Sequence, residues 1–226
     1  MPPAGMTNPR AHCYGIVVAA GRGERFGGSK LLARAGGHPL LYYSLRAFER
    51  CPQVKSYVVV IRPEHRTVVE EVLALGRMQK ALPPAIGGPT RTASVANGLA
   101  RLPRSGVVAV HDGARPLVTS AMLTRGFETC VRTPVTYGVP VVDTLKRVQG
   151  NRAIETLPRE GLLAIQTPQF FRIGQLRAAI TKPVTSATDD CSLVERLGIR
   201  PIVLLGSPSN IKVTTREDLD IVRRLL

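Results

Sequence analysis

The chain has 226 residues, 44% of them hydrophobic and 21% charged, with a formal net charge of +15. That length and apolar fraction suit one soluble α/β domain with a sizeable core and exclude a disordered chain. The apolar runs are only strand-sized, which excludes a membrane-spanning helix, and an aromatic content of 4% without tryptophan argues against a nucleic-acid surface built on base stacking.

Residues 1–13 lack the apolar segment of a secretory signal and are read as a flexible leader ahead of a single domain over 14–226. The apolar run from Gly15 to Ala20 predicts a buried strand of a parallel sheet. It empties into Gly21-Arg22-Gly23-Glu24-Arg25-Phe26-Gly27-Gly28-Ser29-Lys30. Glycines there bring bare backbone N–H groups up to a ligand, and the cations make that ligand an anion, a nucleotide phosphate first of all. The dinucleotide fingerprint fails because Phe26 stands where its third glycine belongs. The P-loop pattern fails because Ser29 and Lys30 follow Gly28 in the wrong order.

A helix is predicted over 39–50, a buried strand over 56–61 and a helix over 63–75. A short strand at Ala85-Ile86 leads into the turn Gly87-Gly88-Pro89-Thr90-Arg91 and a helix over 92–102. The strand over 106–110 ends at His111-Asp112-Gly113-Ala114-Arg115-Pro116, and Thr119 caps a helix over 119–132. Strands over 138–142 and 162–166 flank a polar stretch, 143–160, read as an arm or hairpin projecting from the sheet. Helices over 173–181 and 189–197, strands over 201–205 and 210–214, and a helix over 215–226 complete the chain. This alternation predicts a three-layer α/β/α, Rossmann-like and mainly parallel sheet. Ligands of such sheets sit at the carboxyl ends of the strands, where the Gly21 loop, the Gly87-Gly88 turn and His111-Asp112 all fall.

A carboxylate at a strand end, as at Asp112, forms turns or caps helices. Facing a triphosphate, it is also a ligand for Mg²⁺, which takes one or two carboxylates plus phosphate oxygens. Asp112 is assigned to the metal and Arg115 to an anionic substrate. Lys212 is either a solubilising lysine on an edge strand or a phosphate-binding cation. The block Gln166–Phe171 follows a strand and offers a hydroxyl and amides to a polyol. Thr188 is an N-cap for the helix at 189, a ligand-binding hydroxyl, or both. Cys13, Cys51, Cys130 and Cys191 are scattered and form no C-x-x-C, which predicts reduced thiols and a cytoplasmic protein.

Six motifs occur in one order: A-A-G-x-G-x-R (19–25), H-D-G-A-R-P (111–116), D-T-L-K-R (143–147), T-P-Q-F-F (167–171), A-T-D-D (187–190) and N-I-K-V-T (210–214). Together they resemble the 2-C-methyl-D-erythritol 4-phosphate cytidylyltransferase family, over essentially the whole chain from Gly15. The resemblance implies a nucleotidyltransferase sheet and transfer of CMP from CTP to a methylerythritol phosphate, with release of pyrophosphate. It implies that Arg25, Lys30 and Lys212 are the catalytic cations, that Ala19, Ala20 and Gly21 line the base and ribose, and that Gly23 also binds the nucleotide. Gly87, Gly88 and Ser94 correspond to the cytosine pocket, and Asp112 to the metal-binding aspartate. Arg115, Thr144, Arg159, Thr167, Thr188 and Lys212 match positions around the acceptor. The resemblance also implies that the arm is exchanged between the subunits of a homodimer, an arrangement in which Thr144 and Arg159 would serve the neighbouring site. This chain departs from the family in its shorter Ser29-Lys30-Leu31 loop, in Pro89-Thr90 where acidic residues are usual, and in Asp190 where glutamate is usual. A ribitol 5-phosphate cytidylyltransferase is the nearest alternative within the class, and a basic nucleic-acid-binding protein the alternative outside it. No nucleic-acid or membrane partner is expected.

Overall fold

The computed structural model of the chain describes residues 12–21, 26, 30–181 and 187–226, and of Lys30 the backbone alone. Its first half runs β1 (Cys13–Ala19), a small hairpin of β2 (Arg34–Ala35) and β3 (His38–Pro39), α1 (Leu40–Arg50), β4 (Val54–Ile61), α2 (Arg66–Leu75), β5 (Ala85–Ile86), α3 (Arg91–Ala100) and β6 (Val107–Asp112). The second half runs α4 (Ser120–Thr129), β7 (Val135–Pro140), β8 (Leu145–Gln149), β9 (Arg152–Leu157), β10 (Leu163–Arg172), α5 (Ile173–Ile180), α6 (Cys191–Glu195), β11 (Ile202–Leu205) and α7 (Arg216–Leu225).

Among the described residues, seven strands form the main sheet, in the order β11-β7-β10-β6-β1-β4-β5. Its pairings are parallel apart from those of β10, which runs antiparallel to both β6 and β7. The central strands are rich in valine and isoleucine, whose branched Cβ suits extended backbone. Successive side chains alternate between the faces. Val17, Val59 and Ala109 pack under α1, α2 and α4, while Ile16, Val58 and Val110 pack under α3, α5 and α6. Three layers result, as the strand–helix alternation predicts, and each such valine or isoleucine contributes roughly 1.5–3 kcal/mol by leaving water. A third cluster joins Leu40, Val213, Leu219 and Val222, and Phe26 of the glycine-rich loop packs against it.

Because β7 and β10 are antiparallel neighbours, a hairpin can join them. The arm is that hairpin drawn out. β8 and β9 pair only with each other, and their side chains are almost all exposed. The expected arm over 143–160 is therefore present as a β-hairpin.

Several expectations need correction. Residues 1–11 of the expected leader lie outside the described residues, but Cys13 already belongs to β1 and is buried. β6 extends through Asp112, so His111 and Asp112 are strand residues. β10 is ten residues long and includes the T-P-Q-F-F block rather than ending before it. Pro168, with no N–H to donate, is tolerated where the pairing with β7 shifts register between Gln166 and Phe170. Residues 210–214 form no strand. The Val213 N–H donates a single bond to the Ala114 carbonyl (2.8 Å), and no ladder develops. Thr188 caps no helix: α6 starts at Cys191, and the Ser192 N–H is accepted by Asp189 Oδ1 at 2.9 Å. Thr119 does cap α4, accepting the Met122 N–H at 3.1 Å. No helix among the described residues is long and apolar enough to cross a membrane.

Candidate active site

The parallel strands β1, β4 and β6 end at one edge of the sheet, at Ala19, Ile61 and Asp112. Beyond β4 the chain returns through β5 into the Gly87-Gly88 turn. The Gly87 N–H donates to the Ile61 carbonyl at 2.8 Å. A Cβ on Gly87 would stand 2.4 Å from Ala20 Cβ and 3.0 Å from Ser94 Oγ, so the turn lies flat against the end of β1. Ser94 Oγ accepts the Gly88 N–H at 3.1 Å and donates to the Thr90 carbonyl at 3.0 Å. The Ser94 hydroxyl thus holds the turn in shape. Ala19, Ala20, Gly87, Gly88 and Ser94 are brought together, with Gly21 exposed beside them. Thr90 accepts the Ala93 N–H at 3.0 Å and caps α3.

Next to this turn stands Asp112. Its Oδ2 lies 2.7 Å from Lys212 Nζ, and its Oδ1 accepts from Arg91 Nε and Nη2 at 3.2 and 3.1 Å. Arg91 Nη1 donates to Oδ2 of Asp190 at 2.7 Å. Burial alone would push the Asp112 pKa up. Arg91 first, and then Lys212, outweigh it and hold the carboxyl well below the usual range, so Asp112 is an anion at neutral pH. Asp190 is the opposite case, with burial outweighing Arg91 and raising its pKa.

His111, fully buried one residue earlier, works inward. The Arg115 carbonyl lies 3.1 Å from Nε2, which therefore carries the proton, and Nδ1 accepts the Thr167 hydroxyl at 3.1 Å. Thr167 Oγ1 in turn accepts the Asp112 N–H at 3.0 Å. Burial lowers the His111 pKa to about 4, so the ring is neutral. Thr167, a residue expected at the acceptor, is buried and spends its hydroxyl on this network.

A second set of bonds seats the Lys212 segment. Arg115 Nη1 donates to the Asn210 carbonyl at 2.7 Å, and Asn210 Nδ2 donates to the Thr167 carbonyl at 2.9 Å. These bonds place Lys212 at Asp112 without any strand pairing.

The other expected residues divide clearly. Gly23 and Arg25 lie outside the described residues, as does the Lys30 side chain, although the Lys30 backbone opens a 3₁₀ turn over Lys30–Leu32. Thr144 and Arg159 stay on the projecting arm, where both are exposed and Arg159 Nη1 donates to the Val142 carbonyl. Thr188 is exposed, two residues before the buried Asp190. Sequence reasoning missed Arg91 and read Asp190 as an acid at the positive end of the helix expected at 189, not as the partner of an arginine. A signal was available: an arginine in the first turn of a helix opposes the helix dipole and calls for acidic partners.

A sheet with one antiparallel strand, a glycine turn at its parallel edge and a cation-flanked carboxylate beside that turn fit an α/β nucleotidyltransferase. The model of one such family, 2-C-methyl-D-erythritol 4-phosphate cytidylyltransferase, matches residues 13–226, and the chain belongs to that family. The enzyme of that name from Halalkalibacterium halodurans is 38% identical, with 94% of this chain and 96% of the relative aligned. The one from Geobacillus kaustophilus is 39% identical, with 93% and 95% aligned. The crystal structure of the Francisella tularensis enzyme superposes with a TM-score of 0.80 at 30% identity, covering 96% of this chain and all of that one.

Proposed function

We propose that this protein transfers CMP from CTP to 2-C-methyl-D-erythritol 4-phosphate, releasing pyrophosphate. Family membership names the reaction, and the observation that carries it here is the Asp112–Lys212 pair beside the Gly87-Gly88 turn. A phosphate oxygen of the acceptor attacks the α-phosphorus of CTP, a bond to it forms, and the bond to the bridging oxygen of the leaving pyrophosphate breaks. The acceptor phosphate is mostly dianionic at neutral pH, its second pKa being about 6, so no protein base is needed. The barrier is electrostatic, a dianion approaching a polyanion, and preorganised cations lower it.

Lys212 is 40% exposed at its side chain, so its ammonium, paired with Asp112 at 2.7 Å, is open to a phosphate oxygen. Arg115, half-buried behind the Lys212 segment and bonded to the Asn210 carbonyl, meets the acceptor phosphate in this reading. Arg25 and Lys30 grip the triphosphate in this reading. Supporting this, Phe26 packs in the same cluster as Ile211 and Val213, the neighbours of Lys212. Thr144, Arg159 and Thr188 meet the acceptor.

The residues present fit a magnesium ion held chiefly by substrate. No cluster of three or more acidic, cysteine or histidine side chains that could hold a metal occurs among the described residues. Arg91 occupies both lone pairs of Asp112 Oδ1, and Lys212 one of Oδ2, which leaves Oδ2 able to ligate. When bound with CTP, Mg²⁺ would neutralise charge on the triphosphate. The exposed apolar side chains of the arm support a homodimer through arm exchange, and the four buried thiols fit a reducing, cytoplasmic setting.

The test is pyrophosphate release with CTP, Mg²⁺ and either methylerythritol phosphate or ribitol 5-phosphate, with UTP and ATP as controls. Turnover with CTP and methylerythritol phosphate is expected, and Lys212→Ala should slow it roughly 10²–10³-fold. Absence of turnover with methylerythritol phosphate would overturn the reading.

A further inference from the structure

Arg91 ties three separate segments together. It is the first residue of α3, directly after the Thr90 cap that closes the Gly87-Gly88 turn. Two of its nitrogens, Nε and Nη2, converge on Oδ1 of Asp112, and the third, Nη1, reaches Asp190 in the segment that enters α6. Asp190 is 0% exposed, and its other oxygen, Oδ1, has no partner among the described residues. Its backbone is fixed independently: buried Gln169 accepts the Asp190 and Cys191 N–H groups at 3.1 and 3.2 Å and donates to Asp189 Oδ2 at 2.7 Å. The guanidinium is therefore braced on one side by a buried carboxyl group whose backbone is held in place. On the other side it saturates one oxygen of Asp112 and turns the second toward Lys212. A planar fork with three donors in fixed directions does this, and an ammonium cannot.

We propose that Arg91 is a positioning residue for the transfer reaction, fixing the Asp112 carboxylate so that Oδ2 alone is presented to the substrates, with Asp190 as its counter-anchor. The inference rests on the reading of Asp112 as a residue of the active site. Within it, Asp190 gives Arg91 a fixed point, and Asp112 is what Arg91 aims.

The experiment compares thermal unfolding and steady-state kinetics of the wild type, Asp112→Asn, Arg91→Lys, Arg91→Met and the double variant Arg91→Met with Asp190→Asn. Arg91→Met takes the partner from the wholly buried Asp190 carboxyl and from the Asp112 anion together, so Tm should fall by about 10 °C and kcat should fall with it. The double variant replaces the unpartnered Asp190 carboxyl by a neutral amide, and Tm should return toward wild type. Its kcat should stay roughly 10- to 100-fold low with the CTP KM changed less than about threefold, because Asp112 is still loose. Recovery of kcat together with Tm would show a purely structural arginine and overturn the proposal. If the double variant does not fold, Arg91→Lys decides: a folded lysine variant with wild-type kcat overturns the proposal, and one at least about tenfold slower supports it. Wild-type turnover by Asp112→Asn would overturn the reading of Asp112 itself, and this inference with it. Loss in Asp112→Asn alongside full activity in the double variant would overturn this inference alone.

Discussion

His111 and Asp112 are adjacent, both buried in β6, and burial works on their charges with opposite outcomes. Asp112 keeps its charge because Arg91 and Lys212 reach it, whereas His111 meets a carbonyl and a hydroxyl and stays neutral. The consequence for stability follows from the sign of the histidine shift. An unfolded histidine titrates near 6.5, and in the fold His111 titrates at about 4. Between those values the unfolded chain binds more protons, so stability is complete above about pH 6.5 and declines toward pH 4, by about 3 kcal/mol in all. Denaturant midpoints measured from pH 7 to pH 4 should show this acid limb, and His111→Gln should flatten it. At this scale Asp112, Arg115 and Lys212 were legible because each stands in a short motif whose chemistry is local. Arg91 was not, since its partners lie 21 and 99 positions away. Thr167 was legible as a polar residue at the site, but whether its hydroxyl faces a ligand or the protein depends on His111 across the strand pair.

Among the elements, the Gly87-Gly88 turn is where backbone approach is tightest. The missing side chain at Gly87 lets the turn touch Ala20, and Ser94 locks it from the first turns of α3. Gly87→Ala should displace the turn by several tenths of an ångström. The expected result is a CTP KM raised roughly tenfold while kcat at saturation changes little, if the turn holds the base and not the reacting phosphates, as the proposed reading has it. Equal KM values would show that the turn does not read the nucleotide. Helix and strand spans were readable from periodicity and caps, as with α1 and Thr119. The misjudged spans share one cause. Residues 210–214 look like a strand by composition but find no strand to pair with, and the block expected to follow a strand ending at 166 is instead part of β10, held by β6 on one side. Pairing is a property of two segments, and only one is visible at a time in a sequence.

On the scale of the molecule, the arm is the feature whose chemistry is unfinished. Val142 is 76% exposed, Val148 and Ile154 are each 56% exposed, and Leu205 on the edge strand β11 is 68% exposed. Exposed apolar side chains on a projecting hairpin are what the proposed arm exchange would cover. Val148→Asp combined with Ile154→Asp should leave the fold intact, both sites being solvent-facing, and convert a dimer to a monomer in sedimentation equilibrium. Turnover should fall in parallel, because Thr144 and Arg159 would no longer reach a neighbouring site. A wild-type protein that sediments as a monomer would refute arm exchange. The sequence by itself determined the alternating strands and helices, the glycine turns at the parallel edge, the projecting hairpin and the ordered motifs of a cytidylyltransferase, because periodicity, turn chemistry and short motifs are local. Tertiary structure decided which charges meet. Insertion of antiparallel β10 beside β6 carries Thr167, Gln169 and the Asp190 segment to the edge where Asp112 ends, and that placement follows from sheet order, which no local pattern encodes.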